Sequence, residues 1–315
     1  MSSAMVFPGQ GSQSVGMLAA LAARFPVVEQ CFAEATEVLG FDLWQLISAG
    51  PSERLNATEF TQPAMLAADV ATWRVWCEQG GQLPSLVAGH SLGEFSALVS
   101  AGSLGFEAAL QLVRYRGQLM QQAVPEGAGA MAAILGLDDD KVEAVCAEAA
   151  QQQVVEAVNY NSPAQLVIAG DAAAVVRAME LARQRGAKRV VQLPVSVPAH
   201  SRLMRQAAEQ FGSYLERVEI AAPRFRYVSA VDALEHAQPA DIRATLLRQL
   251  ASPVRWTQTV RALLSVVAVL VECGPGRVLT GLNRRIERGA SCFALEDPET
   301  LQAAIDATAG VGHAA

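Results

Sequence analysis

One stretch of this 315-residue chain decides its fold: Leu86-Val87-Ala88-Gly89-His90-Ser91-Leu92-Gly93-Glu94. It begins as a short apolar strand at residues 85–88, turns at residues 89–93 and continues as a helix-forming segment. Gly-x-Ser-x-Gly between a strand and a helix is typical of a nucleophile elbow, because the glycines permit a tight turn that exposes the serine hydroxyl. A chance match in a glycine-rich loop is the alternative, but the strand–turn–helix context favours Ser91 as a nucleophile.

Short apolar runs alternate with amphipathic helical stretches along the rest of the chain, a pattern that predicts an α/β core with a parallel sheet. Further strands of this core are predicted at residues 4–7, 225–228 and 267–272. Its helices are predicted at residues 14–24, 28–38, 63–79, 94–99, 106–122, 201–217, 239–250, 256–264, 274–286 and 298–308.

Residues 130–194 predict a different unit. Strands at 130–135, 154–159, 165–169 and 190–194 alternate with helices at 138–150 and 171–185. The resulting order, β-α-β-β-α-β, is typical of a ferredoxin-like subdomain. Because this unit lies inside the chain, we predict an insertion. Residues 124–196 form the small subdomain, and residues 1–123 and 197–315 form the large catalytic one.

The composition excludes some classes of protein. Apolar residues make up 51% of the chain, charged residues make up 17%, and the net charge is −7. Such a chain can bury a full core, which excludes a disordered protein. The acidic balance argues against nucleic acid as a partner, since phosphate binding needs a basic surface.

The cysteines and the N-terminus predict a cytoplasmic protein. Five cysteines at wide spacing, without a C-x-x-C pair, argue against a disulfide framework or a zinc site. The first 13 residues lack the basic and apolar regions of a signal peptide. The apolar run at residues 262–271 is too short to span a membrane. The cysteines are Cys31, Cys77, Cys146, Cys273 and Cys292.

A serine nucleophile needs a base, and the chain has four histidines. His90 is adjacent to Ser91 on a tight turn, where neighbouring side chains point apart, so it is predicted to have a structural role or to line the pocket with a hydrogen bond. His236 lies in a polar loop and His313 lies in the C-terminal tail. Elimination leaves His200, which follows a predicted strand at the edge where α/β folds place their active sites.

The group that orients the base stays open. An α/β-hydrolase carries an acid between the serine and the histidine in chain order. The acids in that interval all belong to helix starts of the predicted insertion. Either the later Asp232 or a backbone carbonyl would then accept the imidazole Nδ1–H. The excluded acids are Asp138, Asp139, Asp140 and Asp171.

Two further features fit a serine enzyme. The loop at residues 8–13 follows the first strand, and its two glycines free backbone N–H groups to bind an oxyanion. Its spacing does not match the dinucleotide-binding pattern G-x-G-x-x-G. Arg116 either extends along the surface of its helix or binds a carboxylate in a pocket, and the pattern leaves both open. For Arg114 the surface position is favoured.

Six motifs in order carry a resemblance to a known family, from residue 4 to about 300. The chain resembles malonyl-CoA:acyl carrier protein transacylases of bacterial fatty-acid synthesis. Small departures, at Phe95, at Ala199 and at residues 227–230, leave the catalytic set intact. The motifs are Phe7-Pro8-Gly9-Gln10-Gly11-Ser12-Gln13, Gly89-His90-Ser91-Leu92-Gly93-Glu94, Arg116-Gly117, Gly129-Ala130-Met131, Val197-Pro198-Ala199-His200 and Glu272-Cys273-Gly274-Pro275-Gly276.

The resemblance implies a hydrolase-like α/β core with a ferredoxin-like insertion. It implies that Ser91 is acylated and that His200 is its base. It also implies that the carbonyl of Gln249 holds the histidine ring, and that Arg116 binds the malonyl carboxylate. The remaining implied group is an oxyanion hole, formed by the backbone N–H groups of Gln10 and Leu92.

The implied reaction is a ping-pong transfer from malonyl-CoA to the phosphopantetheine thiol of acyl carrier protein, without a metal or cofactor, in a monomer. Carrier proteins of this family are acidic, so a local basic patch is expected to receive them, although each basic residue alone is most simply a solvated surface residue. The candidates are Arg185, Lys188, Arg189, Arg202, Arg205, Arg284, Arg285 and Arg288.

Three other hypotheses remain at this point. A serine esterase or thioesterase would share the elbow, but it would have no need for Arg116. A carrier-binding subunit without catalysis would tolerate loss of Ser91 or His200, and both are present. The same transfer chemistry in a polyketide or malonate decarboxylase system would have the same catalytic residues.

Overall fold

The computed structural model describes residues 2–195 and 197–309, so His313 and the end of the predicted tail lie outside it. The strands are β1 (Ser3–Phe7), β2 (Leu86–Gly89), β3 (Gly129–Leu135), β4 (Val155–Ser162), β5 (Gln165–Asp171), β6 (Arg189–Gln192), β7 (Arg226–Val228), β8 (Val269–Glu272) and β9 (Ser291–Ala294). The first helices are α1 (Ala19–Ala22), α2 (Val27–Leu39), α3 (Leu43–Ala49), α4 (Ser52–Asn56), α5 (Thr58–Glu78), α6 (Gly93–Ser100) and α7 (Phe106–Gln122). The later helices are α8 (Asp139–Ala150), α9 (Ala172–Gln184), α10 (Arg205–Leu215), α11 (Pro239–Gln249), α12 (Trp256–Leu264), α13 (Val278–Ile286) and α14 (Pro298–Ala309).

The predicted α/β core is present as a parallel sheet in the order β7-β2-β1-β8-β9. The apolar strand β1 lies at its centre and is buried along its whole length. β1 and β2 run side by side, with Phe7 opposite Gly89 at their carboxyl ends. The loop after β1 and the turn after β2 therefore meet at one edge of the sheet, where α/β proteins form ligand crevices.

A second, separate sheet is antiparallel throughout and has the order β4-β5-β3-β6. The elements β3, α8, β4, β5, α9 and β6 follow one another in the predicted order. The two helices pack on the sheet through a hydrophobic cluster of their own, distinct from the clusters around the parallel sheet. The protein thus has mixed α/β architecture with one parallel and one antiparallel sheet, as the alternation of patterns predicted.

β4 ties the antiparallel sheet to the other half of the chain. The Tyr160 N–H donates to the Val254 carbonyl at 2.9 Å, and the Val254 N–H donates to the Val158 carbonyl at 2.8 Å. The hydroxyl of Thr257 also donates to the Tyr160 carbonyl at 3.0 Å. These bonds fix β4 beside the edge of the parallel sheet, so its side chains reach the crevice.

The structure corrects several predicted elements. The helix predicted at residues 14–24 is reduced to α1, because Gly16 (φ 87°) and Leu18 (φ 64°) are left-handed and interrupt a right-handed helix. The helix predicted to begin at Pro63 begins at Thr58, since burial of α5 outweighs the hydrogen bond that the proline removes. The short elements α3, α4 and β9 were not predicted. No helix within the described ranges is both long and apolar enough to cross a membrane.

The glycines of the turn after β2 are required by close backbone packing. A Cβ atom on Gly89 would overlap the backbone of Gly93 and Glu94. A Cβ atom on Gly93 would overlap the carbonyl oxygen of Phe7, at the end of β1. Backbone atoms cannot move aside as a flexible side chain can, so these two positions hold the turn against the central strand.

We predict that Gly93→Ala destabilises the fold by about 1–3 kcal/mol, the usual cost of overpacking. Gly281→Ala is the matched control, because Gly281 is exposed on α13 and no atom lies near its added methyl group. That variant should gain about 0.5–1 kcal/mol, since alanine favours a helix over glycine. Urea unfolding measures both changes, and equal stability of Gly93→Ala and the native chain would contradict this account.

Candidate active site

Ser91 lies on the tight turn between β2 and α6, at the carboxyl edge of the parallel sheet. Its φ of 54° is left-handed, which is uncommon for a residue with a side chain and fits a strained nucleophile elbow. The Glu94 N–H closes the turn by donating to the Ser91 carbonyl oxygen at 3.1 Å. Ser91 borders a cavity of about 270 Å³. The cavity walls also include Gln10, Leu92, Arg116, Asn159 and His200.

The structure brings His200 to Ser91 across 109 residues of sequence. Its Nε2 lies 2.8 Å from the hydroxyl oxygen of Ser91, and its Nδ1 lies 2.9 Å from the carbonyl oxygen of Gln249. A carbonyl can only accept, so Nδ1 carries the hydrogen and donates it. Nε2 therefore has a free lone pair for the serine proton, as a general base requires.

The geometry decides between the two orienting groups that the sequence left open. In the described part of the chain, no carboxylate contacts the His200 ring. The carboxylate of Asp232 accepts hydrogen bonds elsewhere, from His236 at 3.1 Å and from Arg248 at 2.8 Å. The acids at the starts of α8 and α9 belong to the antiparallel half. The ring is therefore held by the carbonyl of Gln249.

Burial keeps the base uncharged. His200 is 4% exposed, and this desolvation lowers its pKa to about 3, with the nearby positive charge of Arg116 acting in the same direction. The imidazole is therefore neutral throughout the physiological pH range. A neutral ring can accept the serine proton without first losing one of its own.

The side chain of Arg116 points inward from α7 and is 1% exposed. Its guanidinium donates to the side-chain oxygens of Gln62 at 2.8 Å and of Gln249 at 2.9 Å. It also donates to the hydroxyl oxygen of Ser91 at 3.3 Å, and it lies 5.6 Å from the ring centre of Phe95. Burial lowers its pKa to about 10, which leaves it charged at neutral pH.

This placement resolves the two positions that the sequence left open for Arg116 and distinguishes it from Arg114. Arg114, two residues earlier on α7 and so on a different face of the helix, donates to the Leu39 carbonyl at 2.8 Å and lies over the ring of Phe41. Arg116 instead contacts the serine itself. Of these two arginines, Arg116 is the one placed to meet a negatively charged group attached to that serine.

Gln10 and Leu92 meet because β1 and β2 are neighbours in the sheet. Both line the cavity beside Ser91. Within residues 2–195 and 197–309, neither backbone N–H donates to another protein group. The Gln10 side chain is held by a 3.4 Å hydrogen bond from its amide nitrogen to the hydroxyl of Thr58. Two free N–H groups beside a nucleophile fit an oxyanion hole.

His90 lines the cavity as the sequence predicted, and its partner comes from the antiparallel sheet. Its Nε2 lies 2.9 Å from the side-chain oxygen of Asn161 on β4, and its ring tilts against Trp256 at 5.6 Å. Burial lowers the pKa of His90. Sequence reasoning missed Asn161 and also missed Gln62. The only signal for Gln62 was a lone amide in the apolar run of α5.

The candidate basic residues have varied surroundings. Arg202 pairs with Glu156 at 3.4 Å, and Arg285 donates to the side chain of Gln165 at 2.6 Å. Arg185 forms an ion pair with an acid of α8, and Arg284 donates to a backbone carbonyl of β9. Among the described residues, no group of three or more His, Cys, Asp or Glu side chains is suited to a metal ion.

Comparison with known proteins gives the family. The model of the acyl transferase domain matches residues 4–289. A malonyl CoA-acyl carrier protein transacylase of Salmonella typhimurium is 52% identical over 303 residues, which cover 96% of this chain and 98% of the relative. A Bacillus subtilis protein of the same name is 42% identical over 304 residues, covering 96% of each chain.

Solved structures agree with these relatives. A malonyl-transacylase in complex with the holo acyl-carrier protein of a type II polyketide synthase is 54% identical, with a TM-score of 0.96, covering 98% of this chain and 100% of that one. The malonyl-CoA:acyl carrier protein transacylase of Xanthomonas oryzae is 52% identical, with a TM-score of 0.95, covering 97% and 98%. The resemblance carried by the six motifs is thus confirmed, and the chain belongs to the acyl transferase family.

Proposed function

We propose that this chain transfers a malonyl group from malonyl-CoA to the phosphopantetheine thiol of an acyl carrier protein, in the service of fatty-acid elongation. The observation that carries the proposal is the buried guanidinium of Arg116, 3.3 Å from the hydroxyl of Ser91. Burying a charge is costly unless it has a partner, and the carboxylate of a malonyl group would supply one. The names of the curated relatives support the same activity.

The first half-reaction acylates Ser91. His200 Nε2 takes the hydroxyl proton as the serine oxygen attacks the thioester carbonyl. The carbonyl oxygen becomes an oxyanion between the N–H groups of Gln10 and Leu92, where one such donor is typically worth about 10²–10³ in rate. The carbon–sulfur bond then breaks, and His200 returns the proton to the coenzyme A thiolate.

The second half-reaction runs in the opposite sense. The malonyl ester on Ser91 keeps its carboxylate against Arg116, which the side chains of Gln62 and Gln249 hold in place. The phosphopantetheine thiol gives its proton to His200 and attacks the ester carbonyl. The serine oxygen leaves with that proton, and the malonyl group departs as a thioester. The side chains and backbone of this chain suffice for both steps.

The proposed active site lies between two subdomains. We assign the described residues of 1–123 and 197–315 to a hydrolase-like large subdomain, and the described residues of 124–196 to a ferredoxin-like small one. The separate hydrophobic clusters and the strand order β4-β5-β3-β6 support this division. The cavity takes residues from both parts, including Ser91 from one and Asn159 from the other, and ligand sites commonly lie between domains.

The carrier protein is the proposed macromolecular partner, and the cytoplasm is the proposed compartment. The described thiols are free, with four of them buried, which fits a reducing environment. An acidic carrier would approach through some of the basic residues named above, because long-range attraction to this acidic chain must come from a local basic patch. The chain is proposed to act as a monomer.

A polyketide pathway is the second candidate, because the solved malonyl-transacylase bound to a polyketide carrier is 54% identical to this chain. Both pathways need the same transfer chemistry. Transfer rates to a fatty-acid carrier and to a polyketide carrier, measured side by side, separate them. An esterase or thioesterase for acyl groups without a carboxylate is disfavoured, because its substrate would leave the buried guanidinium of Arg116 without a charged partner.

We predict that Ser91→Ala abolishes covalent labelling of the protein by radiolabelled malonyl-CoA. The hydroxyl oxygen of Ser91 is the only protein atom to which the proposed mechanism bonds the malonyl group. Ser48→Ala, an exposed change on α3, is the control and should retain stoichiometric labelling. Persistent labelling of Ser91→Ala would remove Ser91 from the mechanism.

We predict that Arg116→Ala lowers acylation by malonyl-CoA about 100-fold more than acylation by acetyl-CoA. Only the malonyl group brings a carboxylate, and a charge-assisted pair is worth about this factor. Arg114→Ala is the matched control on the same helix, and it should leave the malonyl-to-acetyl ratio unchanged. Rapid-quench measurement of both donors gives the ratio. Equal losses for the two donors in Arg116→Ala would show that Arg116 is structural.

We predict that acylation persists as the pH falls from 8 to 5. A histidine with its ordinary pKa of about 6.5 would be protonated at pH 5, and the rate would fall about 30-fold. The lowered pKa of His200, about 3, keeps the base neutral across this range. With acetyl-CoA as donor, Arg116→Ala should move the acid limb to higher pH, because it removes a positive charge near the ring. A native-chain profile with an apparent pKa near 6.5 would contradict the account.

A further inference from the structure

We propose that Glu94 is a positioning residue, which fixes the amide orientation of Gln249 and thereby holds Arg116 toward the acyl group on Ser91. This inference rests on the proposed function and adds a specificity determinant to it. Its basis is the pair of hydrogen bonds that join the Glu94 carboxylate to the amide of Gln249 and to the backbone of Ala230.

Glu94 lies in the first turn of α6, directly behind the nucleophile, and is 0% exposed. One carboxylate oxygen accepts from the Ala230 N–H, and the other accepts from Nε2 of Gln249. A backbone N–H can only donate, so the first oxygen must be an acceptor. Nε2 of Gln249 also donates to the Ser91 carbonyl oxygen, which can only accept, so the second oxygen of Glu94 faces a donor and is an acceptor too.

The side chain of Gln249 has one donor end and one acceptor end. Nε2 donates to Glu94 and to the carbonyl oxygen of Ser91 at 2.9 Å, while Oε1 accepts from Arg116 at 2.9 Å. A flipped amide would turn Oε1 toward two acceptors and Nε2 toward the guanidinium, which is itself a donor. The Glu94 carboxylate therefore acts together with the Ser91 carbonyl to hold the orientation that supports Arg116.

The charge of Glu94 also supports the role of Arg116 in binding an acyl carboxylate. Burial raises the pKa of Glu94, and the hydrogen bonds from Ala230 and Gln249 oppose that rise by favouring the carboxylate. The charged carboxylate favours the protonated form of Arg116 and opposes the lowering of the Arg116 pKa by burial. Glu94 does not touch the base, because His200 is held by the backbone carbonyl of Gln249 and not by its amide. A change at Glu94 should therefore alter the choice of acyl group more than the serine–histidine pair.

The test is Glu94→Gln, which keeps the shape of the side chain. The oxygen of the new amide must stay with the Ala230 N–H, so its NH₂ group faces Nε2 of Gln249. Two donors then oppose each other, so the Gln249 amide must either shift away from position 94 or turn over against the Ser91 carbonyl and the Arg116 guanidinium. Both changes weaken its hydrogen bond with Arg116. We expect the ratio of malonyl-CoA to acetyl-CoA acylation rates to fall about tenfold, since one charge-assisted hydrogen bond is lost.

Glu272→Gln is the matched control for the loss of a buried carboxylate. Glu272 accepts from the N–H groups of Leu279 at 2.9 Å and of Thr280 at 2.6 Å, at the start of α13, and contacts none of the site residues above. This variant should lose stability and keep the native ratio. A fall in its ratio equal to that of Glu94→Gln would overturn the proposal, because the effect would then be a general one of destabilisation.

A double-mutant cycle with Gln249→Met tests whether Glu94 acts through the amide. Methionine removes both ends of the amide and leaves the backbone carbonyl in place for His200. The ratio for the double variant should equal that for Gln249→Met alone, whereas an additive loss would overturn the proposal. If Glu94→Gln does not fold, Gln249→Met alone must show the tenfold fall, and an unchanged ratio overturns the proposal.

Labelling of the native chain by malonyl-CoA distinguishes a failure of this inference from a failure of the proposed function. If the native chain forms no malonyl-enzyme with malonyl-CoA, the proposed function itself fails. If it does so, and the ratio is the same in Glu94→Gln, only the role of Glu94 fails.

Discussion

A guanidinium buried away from water must be surrounded by acceptors, and at Arg116 those acceptors come from three separate segments of the chain. Gln62 reaches it from α5, Ser91 from the turn after β2, and Gln249 from the end of α11. The arginine cannot keep its contacts unless the two helices and the turn are all in place. The need to satisfy this charge therefore links the packing of the parallel-sheet half to the position of the nucleophile. The same guanidinium is the charged partner that a malonyl carboxylate requires.

The same charge explains why a carbonyl, and not an acid, holds the base. A carboxylate beside His200 would place a second negative charge next to the malonyl carboxylate and compete with it for Arg116. The neutral carbonyl of Gln249 fixes the tautomer without adding charge. The nearby negative charge of Glu94 is separated from the guanidinium by the Gln249 amide. The site thus keeps one positive charge facing the cavity and an uncharged base beside the serine.

Local patterns predicted much of the fold. The elbow, the short buried strands and the order β-α-β-β-α-β each depend on residues that lie close together in the sequence. The short elements α3, α4 and β9 carry too few residues for a periodic signal. The helix expected at residues 14–24 failed where left-handed Gly16 and Leu18 interrupt it. In the site, elimination among four histidines led to His200. The carbonyl of Gln249 could come only from the family resemblance, since every residue has a carbonyl. Gln62 and Asn161 act through tertiary contacts that no local pattern records.

The central claim is that Ser91 carries a malonyl group from one thiol to another and not to water. The most direct measurement isolates the malonyl-enzyme and divides it between two solutions, one with holo acyl carrier protein and one with buffer alone. Intact-mass spectrometry then follows loss of the malonyl group in each. The account predicts rapid transfer to the carrier thiol and slow loss in buffer, with malonyl-carrier as the product. Loss at the same rate in both solutions, with free malonate as the product, would contradict it and identify a hydrolase.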